Sequence, residues 1–161
     1  FEIKFKLTDA VSLDSAYDAL SNKQYMVKMG ADPYKSNELG INFLHVAAQG
    51  NKPVSIAFFL RLGIDIESVD NRESTALHWA AFNNADYALR LILTYDVDIN
   101  AQDAAGFTAL HYAAAFNSDT KAVTILLKRL TPEERDYTNR FGWTALDAAY
   151  ARTNNKNDIT Q

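Results

Sequence analysis

Histidine, aspartate and glutamate are the side chains best able to hold a metal or move a proton near neutral pH, and in this chain of 161 residues the three histidines are the first pattern to test. His45, His78 and His111 follow one another at intervals of 33 residues. A zinc or catalytic site needs its groups to converge, with nitrogens about 2 Å from the metal. Equivalent positions on stacked helices stand about 8 to 10 Å apart, so a strict period spreads the three rings instead of gathering them. The expected role is therefore structural, each imidazole bonding nearby backbone and bracing a turn. Asp96-Val-Asp98-Ile-Asn100 offers alternating oxygens like the start of a calcium loop, but Ala101 stands at the sixth place and Phe107 at the twelfth, so the tight turn and the bidentate ligand are missing. There is no cysteine, which removes thiolate zinc ligands, disulfides and a cysteine nucleophile. Neither a glycine-rich phosphate loop nor a G-x-S-x-G elbow occurs. No catalytic, metal or cofactor-binding residue is assigned, no cofactor is expected, and the chain reads as non-enzymatic.

The same interval orders the rest of the sequence. Gly30 and Gly63 are 33 apart, Gly40 and Gly106 are 66 apart, and Gly142 comes three residues late. Leu44, Leu77, Leu110 and Leu146 repeat that delay at the last step, which places an insertion around Thr131 to Arg135. In register the units read Gly40-Ile-Asn-Phe-Leu-His-Val-Ala-Ala48, Glu73-Ser-Thr-Ala-Leu-His-Trp-Ala-Ala81, Gly106-Phe-Thr-Ala-Leu-His-Tyr-Ala-Ala114 and Gly142-Trp-Thr-Ala-Leu-Asp-Ala-Ala149. Thr75, Thr108 and Thr144 precede short alanine-rich apolar stretches, where a hydroxyl caps a starting helix. Alanine pairs keep this inner helix thin. A second helix follows, with apolar stripes at Ile56, Phe59 and Leu60, at Leu89, Ile92 and Leu93, and at Val123, Ile125, Leu126 and Leu127. Gly63 is placed to end its helix in a left-handed conformation, and Asp96 holds the same phase one unit later. Ile64 to Val69 and Val97 to Gln102 are then expected to run extended. Units this short cannot bury a core alone and must stack.

Period and motif together resemble the ankyrin-repeat family, whose signature is T-P-L-H-x-A. The resemblance covers at least Asn37 to Tyr150, with alanine or Phe43 where the family has proline, Glu73 for a turn glycine, Asn42 for the threonine and Asp147 for the last histidine. It implies an all-α solenoid of stacked helix-turn-helix units with short inter-repeat hairpins, about five units in one domain. These are a degenerate N-terminal cap (1–35), full repeats (36–69, 70–102 and 103–138) and a C-terminal cap with a tail (139–161). The tail from Ala151, rich in asparagine, reads as the frayed end of the last helix.

Overall composition is that of a globular chain, 48% hydrophobic and 22% charged with a formal net charge of -4. That charge is uneven. Residues 62–119 carry two basic and nine acidic side chains, against seven and six in 1–61 and seven and five in 120–161. An acidic middle repels phosphate, so no nucleic-acid partner is expected. No apolar run approaches the roughly 20 residues of a membrane helix, and no direct membrane contact is expected. The first residue is Phe1, and Phe1 to Leu7 alternates instead of forming a signal peptide, so the chain reads as part of something longer, monomeric and cytoplasmic.

By resemblance, such stacks bind a protein or peptide through hairpin tips and exposed positions of the inner helices. Transferred to this sequence, the partner-binding residues are Arg72, Ser74, Phe82, Asn83, Phe107, Phe116, Arg140, Phe141 and Trp143, dense in aromatics and arginine as interface hot spots are. Trp79 and Tyr112 are assigned to the core. More narrowly, GINFLHVAAQG and STALHWAAFNNADYALRLILTYDVDIN look like the substrate-recruiting ankyrin domains of membrane S-acyltransferases (palmitoyltransferases). The chemistry of that family lies in an Asp-His-His-Cys module outside this sequence.

Overall fold

The structure, a computed structural model, describes residues 32–157, with side chains described as far as Thr153. The expected N-terminal cap (1–35) and Gly30 fall almost wholly outside these residues. Eight helices follow among them: α1 Phe43–Gln49, α2 Pro53–Arg61, α3 Ala76–Phe82, α4 Asp86–Ile92, α5 Ala109–Phe116, α6 Lys121–Leu127, α7 Pro132–Arg135 and α8 Ala145–Asn157. The inner helices α1, α3, α5 and α8 stack in one row and the outer helices α2, α4 and α6 in a second. Alanine makes the close approach possible: Ala47, Ala48, Ala80, Ala81 and Ala113 are fully buried between neighbours. Each outer helix contributes the bulkier core, with Ile56, Leu89, Ile92 and Leu126 essentially inaccessible. Burying one such side chain is worth about 2 kcal/mol, which two-turn helices cannot supply on their own.

The inner helices α1, α3 and α5 begin with the same device. Asn42 Oδ1 accepts from the His45 N–H at 3.0 Å and Thr108 Oγ1 from the His111 N–H at 3.4 Å, while ring Nδ1 of each histidine accepts from the capping residue's own N–H. Thr75 and His78 form the same reciprocal pair. Histidine thus does at the third helical position what glutamate does in an ordinary capping box.

Two connections differ from expectation. Ile64 to Val69 and Val97 to Gln102 are not simply extended. Asp65 Oδ1 accepts from the Glu67 N–H and Asp98 Oδ1 from the Asn100 N–H, both at 2.9 Å, so each segment folds into an Asx turn. Gly63 does take φ +92°, but Asp96 keeps a negative φ, because the Val97 N–H reaches Tyr95 O at 3.1 Å and closes a tighter turn there. The left-handed residues at the turns between inner and outer helices are Asn51 and Asn84 instead. Their Oδ1 atoms accept from the Ala88 and Ala122 N–H groups at 2.9 and 2.8 Å, tying each turn to the next outer helix.

The three extra residues before Leu146 occupy α7, a single turn capped by Thr131 and Glu134. Beyond it, the tail expected to fray from Ala151 is helical to Asn157. Arg152 anchors it by donating to the carbonyl of Asn117.

Candidate functional site

Four short side chains at one phase of the repeat build the hairpins. Asn37, Asp70, Asp103 and Asn139 each accept two backbone N–H groups with one oxygen, those of residues two and four places on, at 2.8–3.1 Å. The turn position that follows is left-handed: Gly40, Gly106 and Gly142 at φ +74° to +79°, and Glu73 at φ +61°. Successive tips join in a ladder, with Asn71 N–H donating to Leu39 O, Ala104 N–H to Arg72 O and Arg140 N–H to Ala105 O at 2.9–3.1 Å. A Cβ on Gly106 would lie 2.7 Å from the Arg140 nitrogen, so the tips are in close contact.

The second oxygen of each hairpin aspartate orients an aromatic residue nine places on. Trp79 Nε1 donates to Asp70 Oδ2 at 3.0 Å and Tyr112 Oη donates to Asp103 Oδ2 at 2.6 Å. Burial first, then the bond to Asp103, raises the Tyr112 phenol to about 12, while the nearby Arg72 charge acts in the opposite sense. Turn preference accounts for these aspartates in the sequence, and only their constant offset of nine to Trp79 and Tyr112 signals the second task. At the fourth hairpin that position is Ala148, and the buried Nδ2 of Asn139 is left without an acceptor among the described residues. Gln49 Oε1 is likewise buried, without a donor among the described residues.

With Tyr112 so fixed, a strip of rings forms on the inner-helix side. Phe107 and Tyr112 are 5.6 Å apart, Tyr112 and Phe116 5.8 Å, Phe82 and Phe116 5.0 Å, and Phe82 and Tyr112 6.0 Å. Phe82 is 41% and Phe116 56% exposed, and because these two touch they form a single exposed patch. Phe107 is half-buried, packed on His111 and Tyr112, and Tyr112 belongs as much to the strip as to the core. Phe141 and Trp143 form a separate exposed pair at 6.4 Å on the last hairpin. Arg72 and Arg140 are exposed at the tips. Asn83 is exposed yet spans to the neighbouring unit, donating from Nδ2 to Gln49 O at 3.2 Å. Ser74 is a correction: expected as a contact, it is only 6% exposed, because its N–H is drawn in to Asp70.

The histidines have the bracing geometry. Nε2 of His45, His78 and His111 lies 2.8–3.0 Å from the carbonyls of Ser68, Phe107 and Trp143. A carbonyl only accepts, so each Nε2 carries the proton and each Nδ1 is the acceptor at the cap. Burial holds all three below their ordinary pKa, against the opposing pull of those carbonyls. Among the described residues no three His, Asp or Glu side chains converge on a metal-sized site.

The chain matches the family described as Ankyrin repeats (3 copies) over residues 15–103 and 87–160, and it belongs to that family. Proteins of this class are generally protein–protein interaction modules and typically non-catalytic. The match covers the repeats alone and includes no acyltransferase. Comparison with curated proteins finds no significant match. No helix among the described residues is long and apolar enough to cross a membrane.

Proposed function

We propose that this domain is a non-catalytic docking module that holds a protein or peptide on its concave, inner-helix face, across the Phe82–Phe116 patch and the hairpin tips above it. The observation that supports this reading is the patch itself. Two phenylalanines, 41% and 56% exposed, sit in mutual contact on a rigid support with their outer faces open to solvent. A soluble stack gains nothing from leaving them in water, whereas clustered aromatics on preorganised backbone are what interfaces bury. The partner is a polypeptide, met by a monomeric domain in the reducing, cytoplasmic setting that a cysteine-free chain suits.

Phe116→Ala is the cleanest test, because Phe116 is more than half exposed while Phe107 also takes part in packing. The expected outcome is partner binding weakened at least about thirtyfold, as for a hot-spot residue, with melting temperature unchanged. Unchanged affinity in both Phe116→Ala and Trp143→Ala rejects the assigned face.

A further inference from the structure

The hairpin ladder has a notch in it. Ala104 N–H bonds to Arg72 O and Arg140 N–H to Ala105 O, so the two arginine-bearing tips flank a tip made only of alanines. Below this notch the column continues through Phe107 and Tyr112 to the exposed pair Phe82 and Phe116. A tip of small residues thus stands between two tips that each carry an exposed arginine, with the column of rings on the same repeats.

Those guanidiniums are unspent. Neither Arg72 nor Arg140 makes a side-chain hydrogen bond or ion pair among the described residues. Arg129, Arg135 and Arg152, in contrast, each donate to a main-chain carbonyl of the stack. The hairpin of Arg140 holds one more unused donor, the buried Nδ2 of Asn139.

Much of the acidic charge of the middle units lies away from these tips or is already engaged. Asp70 and Asp103 are turned inward and fully engaged by backbone N–H groups and an aromatic head each. Asp65, Glu67, Asp96 and Asp98 lie in the loops before the hairpins, where Glu67 Oε1 accepts from the Asp98 N–H at 2.7 Å. On the two central tips the exposed acid is Glu73, which shares a polar hollow of about 390 Å³ with Gln102, Thr138 and Arg140.

We propose that this column receives a polypeptide segment carrying a carboxylate beside an apolar anchor, the anchor lying on Phe82 and Phe116 and the carboxylate held by Arg72 or Arg140. This rests on the docking reading and adds the chemistry of the partner. Arginine donates in a planar fork that fits a carboxylate bidentately. A rigid aromatic floor beside it fixes where the anchor must stand relative to the acid.

The test uses short fluorescent peptides in which a Glu pair stands a few residues from a Phe, with matched peptides in which the Glu pair is Lys or the Phe is Ser. The Glu–Phe peptides are expected to bind about tenfold tighter than either control at low salt, with affinity falling as salt rises. Arg72→Gln and Arg140→Gln, both at exposed positions, are each expected to weaken that binding about fivefold and flatten its salt dependence, while Glu73→Gln strengthens it about twofold. Equal binding of Glu and Lys peptides, no response to either arginine change, or no binding by any peptide overturns the inference. If Phe peptides bind regardless of charge and Phe116→Ala abolishes it, the docking face stands and the carboxylate assignment falls. If peptides bind and Phe82→Ala with Phe116→Ala leaves their affinity intact, both readings fail together.

Discussion

Leu77 and Leu110 are 3% and 6% exposed, whereas Leu146, at the same place in the same Thr-Ala-Leu motif, is 63% exposed. The middle leucines are closed in by their own outer helix and the neighbouring unit. Among the described residues no outer helix follows α8, and Tyr150 beside Leu146 is 60% exposed as well. The hydrogen bonding diverges in parallel. His78 and His111 reach forward to the carbonyls of Phe107 and Trp143, whereas among the described residues the Asp147 carboxylate bonds only backward, to the N–H and hydroxyl of Thr144 at 2.8 Å. One sequence pattern therefore yields a buried core element or an exposed one according to its neighbours. In a solenoid the stability of a residue belongs to the interface it joins.

The largest expected contrast follows from burial. Leu77→Ala or Leu110→Ala should cost about 3 kcal/mol in urea unfolding, and Leu146→Ala under about 0.5 kcal/mol, since no cavity forms at an exposed site. Equal costs would show that the three leucines are equally supported. Next come the histidines. His78→Ala leaves the Thr75 N–H without its acceptor and takes from the Phe107 carbonyl one of its two donors, the other being the Asp103 N–H, and should cost about 2 kcal/mol, clearly more than Asp147→Ala in the same assay.

The pH dependence sharpens the same contrast. The three histidines are neutral in the fold, with pKa values held below 6.5 mainly by burial. The unfolded chain binds protons that the folded chain refuses, so stability is complete above about pH 6.5 and falls as pH drops toward the folded pKa values. Urea midpoints measured from about pH 7.5 down to about pH 5 should decline, and the decline should be shallower in His78→Asn. The last unit carries no histidine, so hydrogen exchange there should respond least. A midpoint flat over that range would contradict the neutral assignment. The smallest effect concerns backbone strain. Glu73→Gly removes a side chain from a φ of +61° where the sister hairpins have glycine, and should raise stability by up to about 1 kcal/mol by thermal unfolding.

Most of the architecture is legible in the sequence because period and motif report the repeat directly. The 33-residue spacing of His45, His78 and His111 already implies dispersed, bracing imidazoles, and the late Leu146 locates α7. What escapes the pattern are positions decided by competing local bonds. Asp96 has the phase of Gly63 but not its backbone, since a nearer carbonyl captures Val97 N–H. Ser74 has the phase of a tip residue, but Asp70 draws it in. The aromatic strip is half legible. Phe82, Phe107 and Phe116 are visible as a group, but that Tyr112 joins them depends on the Asp103 bond, and exposure at an inner-helix position cannot be read from periodicity.

Partners are proposed to meet the inner-helix face. Site-specific photocrosslinking tests it for a partner of any identity: a benzophenone side chain at Phe116 is compared with one at Val54, which is 74% exposed on outer helix α2. The expected result is a discrete adduct from position 116, lost on adding Phe82→Ala, and none from position 54. Adducts of equal yield from both positions, or from position 54 alone, would contradict it.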